Sequence, residues 1–155
     1  MLQYIEGESL DQRIKRGPIP WQEAIDLMQR VLAGLGALHA ASLVHRDVKP
    51  ENILVEGESG VPKITDLGVA HDAVGRAMTR QGAQLGTPEY MSPEQVKGTT
   101  VDERADLYAC GIVLYELLTG EVPFAGDTDF DVLKAHVDRA PDLERLPPET
   151  PSALR

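Results

Sequence analysis

Within residues 21–41, apolar side chains recur at Ala24, Leu27, Met28, Val31, Leu35 and Leu38. Steps of three and four put them on one face of a helix. Gly34 and Gly36 weaken that helix slightly and allow close packing, and Trp21 is expected to pack at its start. The helical spacing returns over 102–119, where Leu107, Cys110, Ile112, Val113, Leu114, Leu117 and Leu118 leave little polar face. This second pattern predicts a helix buried nearly all round, with Gly120 just past its end. Shorter helices are expected at SLDQRIKR, with Ser9 as cap and GPIP as stop, at SPEQVK behind Ser92, and over 127–140. Short β candidates fall at 43–44, at ILVE (53–56) and at VPKIT (61–65). The turn GESG between the last two makes them a hairpin. LQYI is a brief apolar stretch followed by turn-prone EGES. Residues 69–91 show no period and contain three Gly and one Pro. Loops of that length inside a compact domain are uncommon and usually functional. The Pro-rich end, 141–155, is expected to be an irregular tail.

Composition narrows the class. The chain has 155 residues, enough for one domain with a core, and is 42% hydrophobic and 26% charged, ordinary for a globular protein. No window reaches the ~18 apolar residues of a membrane helix, and MLQYIEGESL lacks the basic start and apolar run of a secretory signal. The single Cys110 excludes an internal disulfide and a multi-cysteine zinc site, which suits a reducing cytoplasm. Lys and Arg total 15 against 25 Asp and Glu, for a formal charge of −10. That balance repels nucleic acid and gives no attraction to an anionic membrane. A phosphate ligand would need local cations or metal ions.

The polarity is concentrated in HRDVKPEN (45–52), set between two β candidates. A held loop between strands that exposes several charged side chains is a common way to build a catalytic site. The octet resembles the catalytic loop of protein kinases. Its companions follow in the family's order: DLG (66–68) resembles the metal motif, GTPEYMSPEQ (86–95) the segment ending in APE with Ser92 for Ala, and DERADLYACGIVLYELLTGEVPF (102–124) the long central helix and the loop after it. Four motifs in sequence are highly specific and cover most of residues 1–124. The fold implied is mainly α: the helical large lobe of the protein-kinase fold (α+β overall), with short β-hairpins carrying the catalytic and metal-binding loops. GTPEYMSPEQ is similar in style to bacterial serine/threonine kinases of the eukaryotic type.

The resemblance implies roles. Asp47 accepts or orients the substrate hydroxyl proton, and Lys49 sets a cation beside the γ-phosphate of ATP. Asn52 and Asp66 are oxygen ligands of the kind Mg²⁺ prefers. Thr87 contacts Asp47 and Lys49 and favours Ser or Thr substrates on partner proteins. Gln3 and Ile5 offer backbone groups to adenine, with Leu2 as gatekeeper and Leu54 under the ring. Arg46 would pair with a phosphate on the activation loop, where Thr79 is the candidate phosphosite. Glu94 and Asp106 resemble structural anchors. His45 and Leu67 resemble members of the internal hydrophobic column.

Residues 1–155 thus map as one partial kinase domain: hinge at 1–8, large lobe at 9–140 and irregular tail at 141–155. A small β-rich lobe, with its Gly-rich loop, lysine and helix glutamate, and the family's last helices are not expected within these residues. The expectation is a large lobe cut at both ends, with negligible kinase activity alone. The location expected is cytoplasmic, free or as the cytoplasmic part of a membrane-tethered kinase. The competing function is a non-catalytic, pseudokinase-like binding or scaffolding module; retention of Asp47, Lys49, Asn52 and Asp66 argues against it. Elsewhere blander roles lead: His39, His71 and His136 structural or solvated, Cys110 an inert core residue, and 127–149 a solvated acidic face.

Overall fold

A computed structural model describes residues 6–57, 59–67 and 87–154. Strand β1 (Gly7–Ser9) runs into helix α1 (Leu10–Ile14), which opens with a capping box. Ser9 Oγ accepts from the Gln12 amide at 3.3 Å, and Gln12 Oε1 accepts from the Ser9 amide at 3.2 Å. Two of the helix's unpaired first-turn donors are satisfied in this way. Helix α2 (Trp21–Ala40) buries Ala24, Leu27, Met28, Val31 and Leu35 along the face expected from their spacing. Leu38 and Trp21 pack against the same core while only partly buried.

Strands β2 (Ile53–Glu56) and β3 (Pro62–Ile64) form the expected hairpin, pairing Ile53 with Ile64. The sheet order is β1-β2-β3, all antiparallel. Two expectations fail here. Residues 43–44 are not a strand, because the chain leaving α2 is still tied to it: the Leu43 amide donates to Leu38 O at 3.0 Å. Conversely, turn-prone 7–9 is a strand, pairing Gly7 with Glu56. A Cβ at residue 7 would collide with the Val55 carbonyl oxygen, so the close approach of β1 to β2 requires this glycine.

Helix α3 (Pro93–Val96) carries a second capping box, between Ser92 and Gln95. Helix α4 (Glu103–Thr119) is the centre of the molecule and ends at Gly120, whose φ of 79° is left-handed. It packs on α2, with Leu10, Val31, Leu35, Ile53, Val113 and Leu117 at the heart of the core. Its burial is less complete than expected, since Leu107 remains 48% exposed. Helix α5 (Asp129–Asp138) follows, capped by Thr128. The tail is not wholly loose: two 3₁₀ turns, Leu143–Arg145 and Ser152–Leu154, shape it, and Leu146 and Thr150 are buried. Among the described residues, no helix is long and apolar enough to cross a membrane.

Candidate active site

The polar octet lies between the end of α2 and β2, closing with a 3₁₀ turn, Pro50–Asn52, that leads into the strand. Its anchor is Asp106 in the first turn of α4, 1% exposed. Asp106 Oδ2 accepts from the His45 amide at 2.9 Å and from His39 Nε2 at 2.8 Å; Oδ1 accepts from the Arg46 amide at 2.8 Å. These bonds hold Arg46 at φ 66°, a left-handed conformation that costs a residue with a Cβ roughly 1–2 kcal/mol. Gln95 in α3 completes the hold by donating its Nε2 to Arg46 O at 2.8 Å.

His45 is fully buried and joins two loops. Its Nδ1 accepts from the Asp47 amide at 3.3 Å, which places the proton on Nε2, and Nε2 donates to Thr65 O at 2.9 Å. Asp47 then meets its neighbours directly. Asn52 Nδ2 donates to Asp47 O at 2.8 Å and to Oδ2 at 2.9 Å, while Lys49 Nζ lies 3.2 Å from the same Oδ2. Lys49 Nζ also donates to Thr87 Oγ1 at 3.1 Å. Thr87 therefore reaches Asp47 through Lys49. The β2–β3 hairpin returns the chain to Asn52, whose carbonyl accepts from the Thr65 amide at 2.9 Å and from Thr65 Oγ1 at 3.3 Å. Asp66 follows with a left-handed φ of 54° and an exposed side chain.

So Asp47, Lys49, Asn52 and Thr87 form one bonded group, and Asp66 stands one residue from its edge. Leu54 is half-buried in the middle of β2, paired with Ser9 and Lys63. Leu67 is 45% exposed, unlike His45, so the two do not share a buried column among the described residues. Leu2, Gln3, Ile5, His71 and Thr79 lie outside the described residues.

Asn52 spends its amide nitrogen on Asp47, which leaves Oδ1 as its acceptor for a cation. Among the described residues, no group of three or more His, Cys, Asp or Glu could enclose a metal ion. An Asn oxygen and one carboxylate suit Mg²⁺, which keeps several waters and completes its octahedron with substrate phosphates.

Four residues around the loop were given no site role from the sequence: His39, Gln95, Tyr90 and Glu116. Tyr90 donates its hydroxyl to Glu116 Oε2 at 2.7 Å beside the Thr87 segment. Burial pushes the Tyr90 hydroxyl well above its usual range, and the bond to Glu116 adds to this. Burial also raises the Glu116 carboxyl; nearby Glu51, Asp11 and Glu89 reinforce the rise, while the Tyr90 hydroxyl opposes it. Cys110 is buried and its thiol is pushed up to about 12, chiefly by desolvation, as suits a core residue.

Residues 1–153 match the protein kinase domain family. The chain belongs to that family, and its fold is the helical large lobe of the kinase fold. The relatives it resembles are bacterial proteins named as serine/threonine-protein kinases. Drp72 of Corynebacterium efficiens is 44% identical over 142 residues, which cover 91% of this chain and 27% of that protein. PknL of Mycobacterium tuberculosis is 42% identical over 155 residues, 96% of this chain and 39% of PknL. PknA of Corynebacterium glutamicum is 38% identical over 155 residues, 99% of this chain and 32% of PknA. The chain thus spans well under half the length of these relatives.

Proposed function

We propose that these residues serve transfer of the γ-phosphate of ATP to serine or threonine hydroxyls of protein substrates, with Mg²⁺. The observation that carries this is the bonded group of Asp47, Lys49, Asn52 and Thr87 in one anchored loop. Phosphoryl transfer asks for positioning and charge neutralisation more than covalent chemistry. The substrate hydroxyl oxygen bonds to the γ-phosphorus as the bond to the ADP oxygen breaks, and its proton passes to the Asp47 carboxylate. Lys49 neutralises charge on the moving group, and Thr87 sets the place of the acceptor. Asn52 Oδ1 and Asp66 would hold Mg²⁺, which supplies electrostatic stabilisation of the phosphate oxygens. Leu54 would lie under adenine, and the backbone of Gln3 and Ile5 would meet its edge. A phosphate on Thr79 would pair with Arg46 and order the loop.

On this reading, residues 1–155 taken by themselves would offer ATP one wall of a cleft, and water would dilute the electrostatic stabilisation. Their isolated turnover is expected to be negligible. The test compares the full-length protein with its Asp47→Asn variant in a phosphate-transfer assay on a Ser/Thr protein substrate. The variant is expected to lose at least about a hundredfold, the usual size of a general-base effect. Equal activity of parent and variant, or an inactive parent, would leave the non-catalytic binding module as the better reading.

A further inference from the structure

We infer that His39 is a positioning residue for this phosphotransfer, an inference that rests on the reading above. His39 sits in the last turn of α2, and its side chain is only 17% exposed. Its Nε2 lies 2.8 Å from Asp106 Oδ2, on a different helix. A carboxylate only accepts, so the imidazole donates and carries its proton on Nε2.

The consequence runs through Asp106. Oδ2 takes two donors, His39 Nε2 and the His45 amide, while Oδ1 takes the Arg46 amide. The torsion that orients a carboxylate is soft. Two donors from adjacent residues of one loop let the carboxylate and loop tilt together. A third donor, from a helix that is not part of that loop, fixes the carboxylate plane against the body of the domain. The Arg46 amide must meet Oδ1 for the left-handed turn at φ 66° to hold, and Asp47 is the next residue. His39 thus sets the aim of the proton acceptor without touching substrate.

The ring is matched by Gln, whose terminal nitrogen reaches the place of Nε2; Asn is too short, and Leu fills the space without a donor. The experiment measures kcat and KM for ATP in the full-length protein carrying His39→Leu, His39→Asn or His39→Gln, with melting temperatures alongside. Leu and Asn are expected to lower kcat about tenfold, as loss of one hydrogen bond to a charged acceptor does, with KM for ATP within about twofold. Gln is expected to recover at least half of that loss on a logarithmic scale. Losses that track melting temperature instead of the donor, a Leu variant equal to parent, or Gln no better than Asn would each overturn the inference. Nitrogen-15 NMR of the ring in the unsubstituted protein gives a second readout that needs no variant to fold. Protonated Nε2 supports the contact; a neutral ring protonated on Nδ1 overturns it. A parent without Asp47-dependent turnover defeats the phosphotransfer reading itself, whereas an active parent with no donor pattern defeats only the role of His39.

Discussion

Two loops border the proposed site, and they are held unequally. In the loop at 45–52, the backbone of His45 and Arg46 is bound to a carboxylate buried in another helix, and Arg46 O is bound to a third element. Among the described residues, the loop at 65–67 is fastened through Thr65, whose amide and hydroxyl meet Asn52 O and whose carbonyl meets His45. Beyond it, Asp66 and Leu67 step into exposure. The difference fits their proposed work. A proton acceptor must be aimed before reaction, because reorganising it afterwards raises the barrier. A metal ligand is drawn into place by its ion.

The largest break in this contrast comes at the firm end. Asp106→Ala leaves two backbone amides and an imidazole without their acceptor, and should lower stability by about 3–5 kcal/mol. Urea unfolding reads this directly; a loss under 1 kcal/mol would mean that the loop is held by something else. Next is Tyr90→Phe, which removes the hydroxyl donor from half-buried Glu116. A loss of about 1–2 kcal/mol is expected in thermal unfolding, and an unchanged melt would show that water replaces the phenol.

A smaller effect sharpens the comparison from outside both loops. His136 is 3% exposed, shares a hydrogen bond between its Nδ1 and the Tyr108 hydroxyl at 2.7 Å, and has its pKa lowered mainly by burial, with the backbone of Glu89 and Pro88 opposing. The folded imidazole therefore binds a proton less readily than the unfolded one, with its ordinary value near 6.5. Its contribution to stability is complete above that pH and declines as the pH falls below it. Glu116 has the opposite sign: its raised carboxyl favours the fold in acid, and that help is lost as pH rises through its folded value. Comparing parent with His136→Gln between pH 7 and 5 separates the two, and the variant should show the flatter acid decline. An identical slope would place the titrating group elsewhere.

The smallest change in stability belongs to the loose end. Asp66→Asn alters an exposed side chain and should shift unfolding by no more than about 0.5 kcal/mol. In the full-length protein it should nonetheless abolish the Mg²⁺-dependent part of thermal stabilisation by ATP, which reaches about 2.7 kcal/mol for a ligand at a hundred times its Kd. Undiminished stabilisation would remove Asp66 from the metal site.

Much of this was legible in the chain. The caps at Ser9 and Ser92, the buried face of α2 and the β2–β3 hairpin follow from local spacing and short-range hydrogen bonds. The motif residues 47, 49, 52 and 87 also come together as the resemblance implied. What could not be read depends on distant partners. Gly7 looks like a turn residue until β2 lies against it. Residues 43–44 look like a strand, but the Leu43 amide still bonds back to Leu38 O of α2. Leu146 reads as part of a Pro-rich tail, yet it joins the core beside Tyr115. His39 carries no local signal, because its meaning is conferred by a carboxylate on a different helix.

One amide has a lasting consequence for how this segment can vary. Gln95 uses its oxygen to close the capping box on the Ser92 amide at 2.9 Å and its nitrogen to grip Arg46 O at 2.8 Å. Glutamate, the residue nearest to it in shape, would keep the first contact and turn the second into two oxygens facing one another. A helix-propensity table would pass that replacement as harmless, so scoring of natural or designed variants here must weigh both ends of the side chain separately.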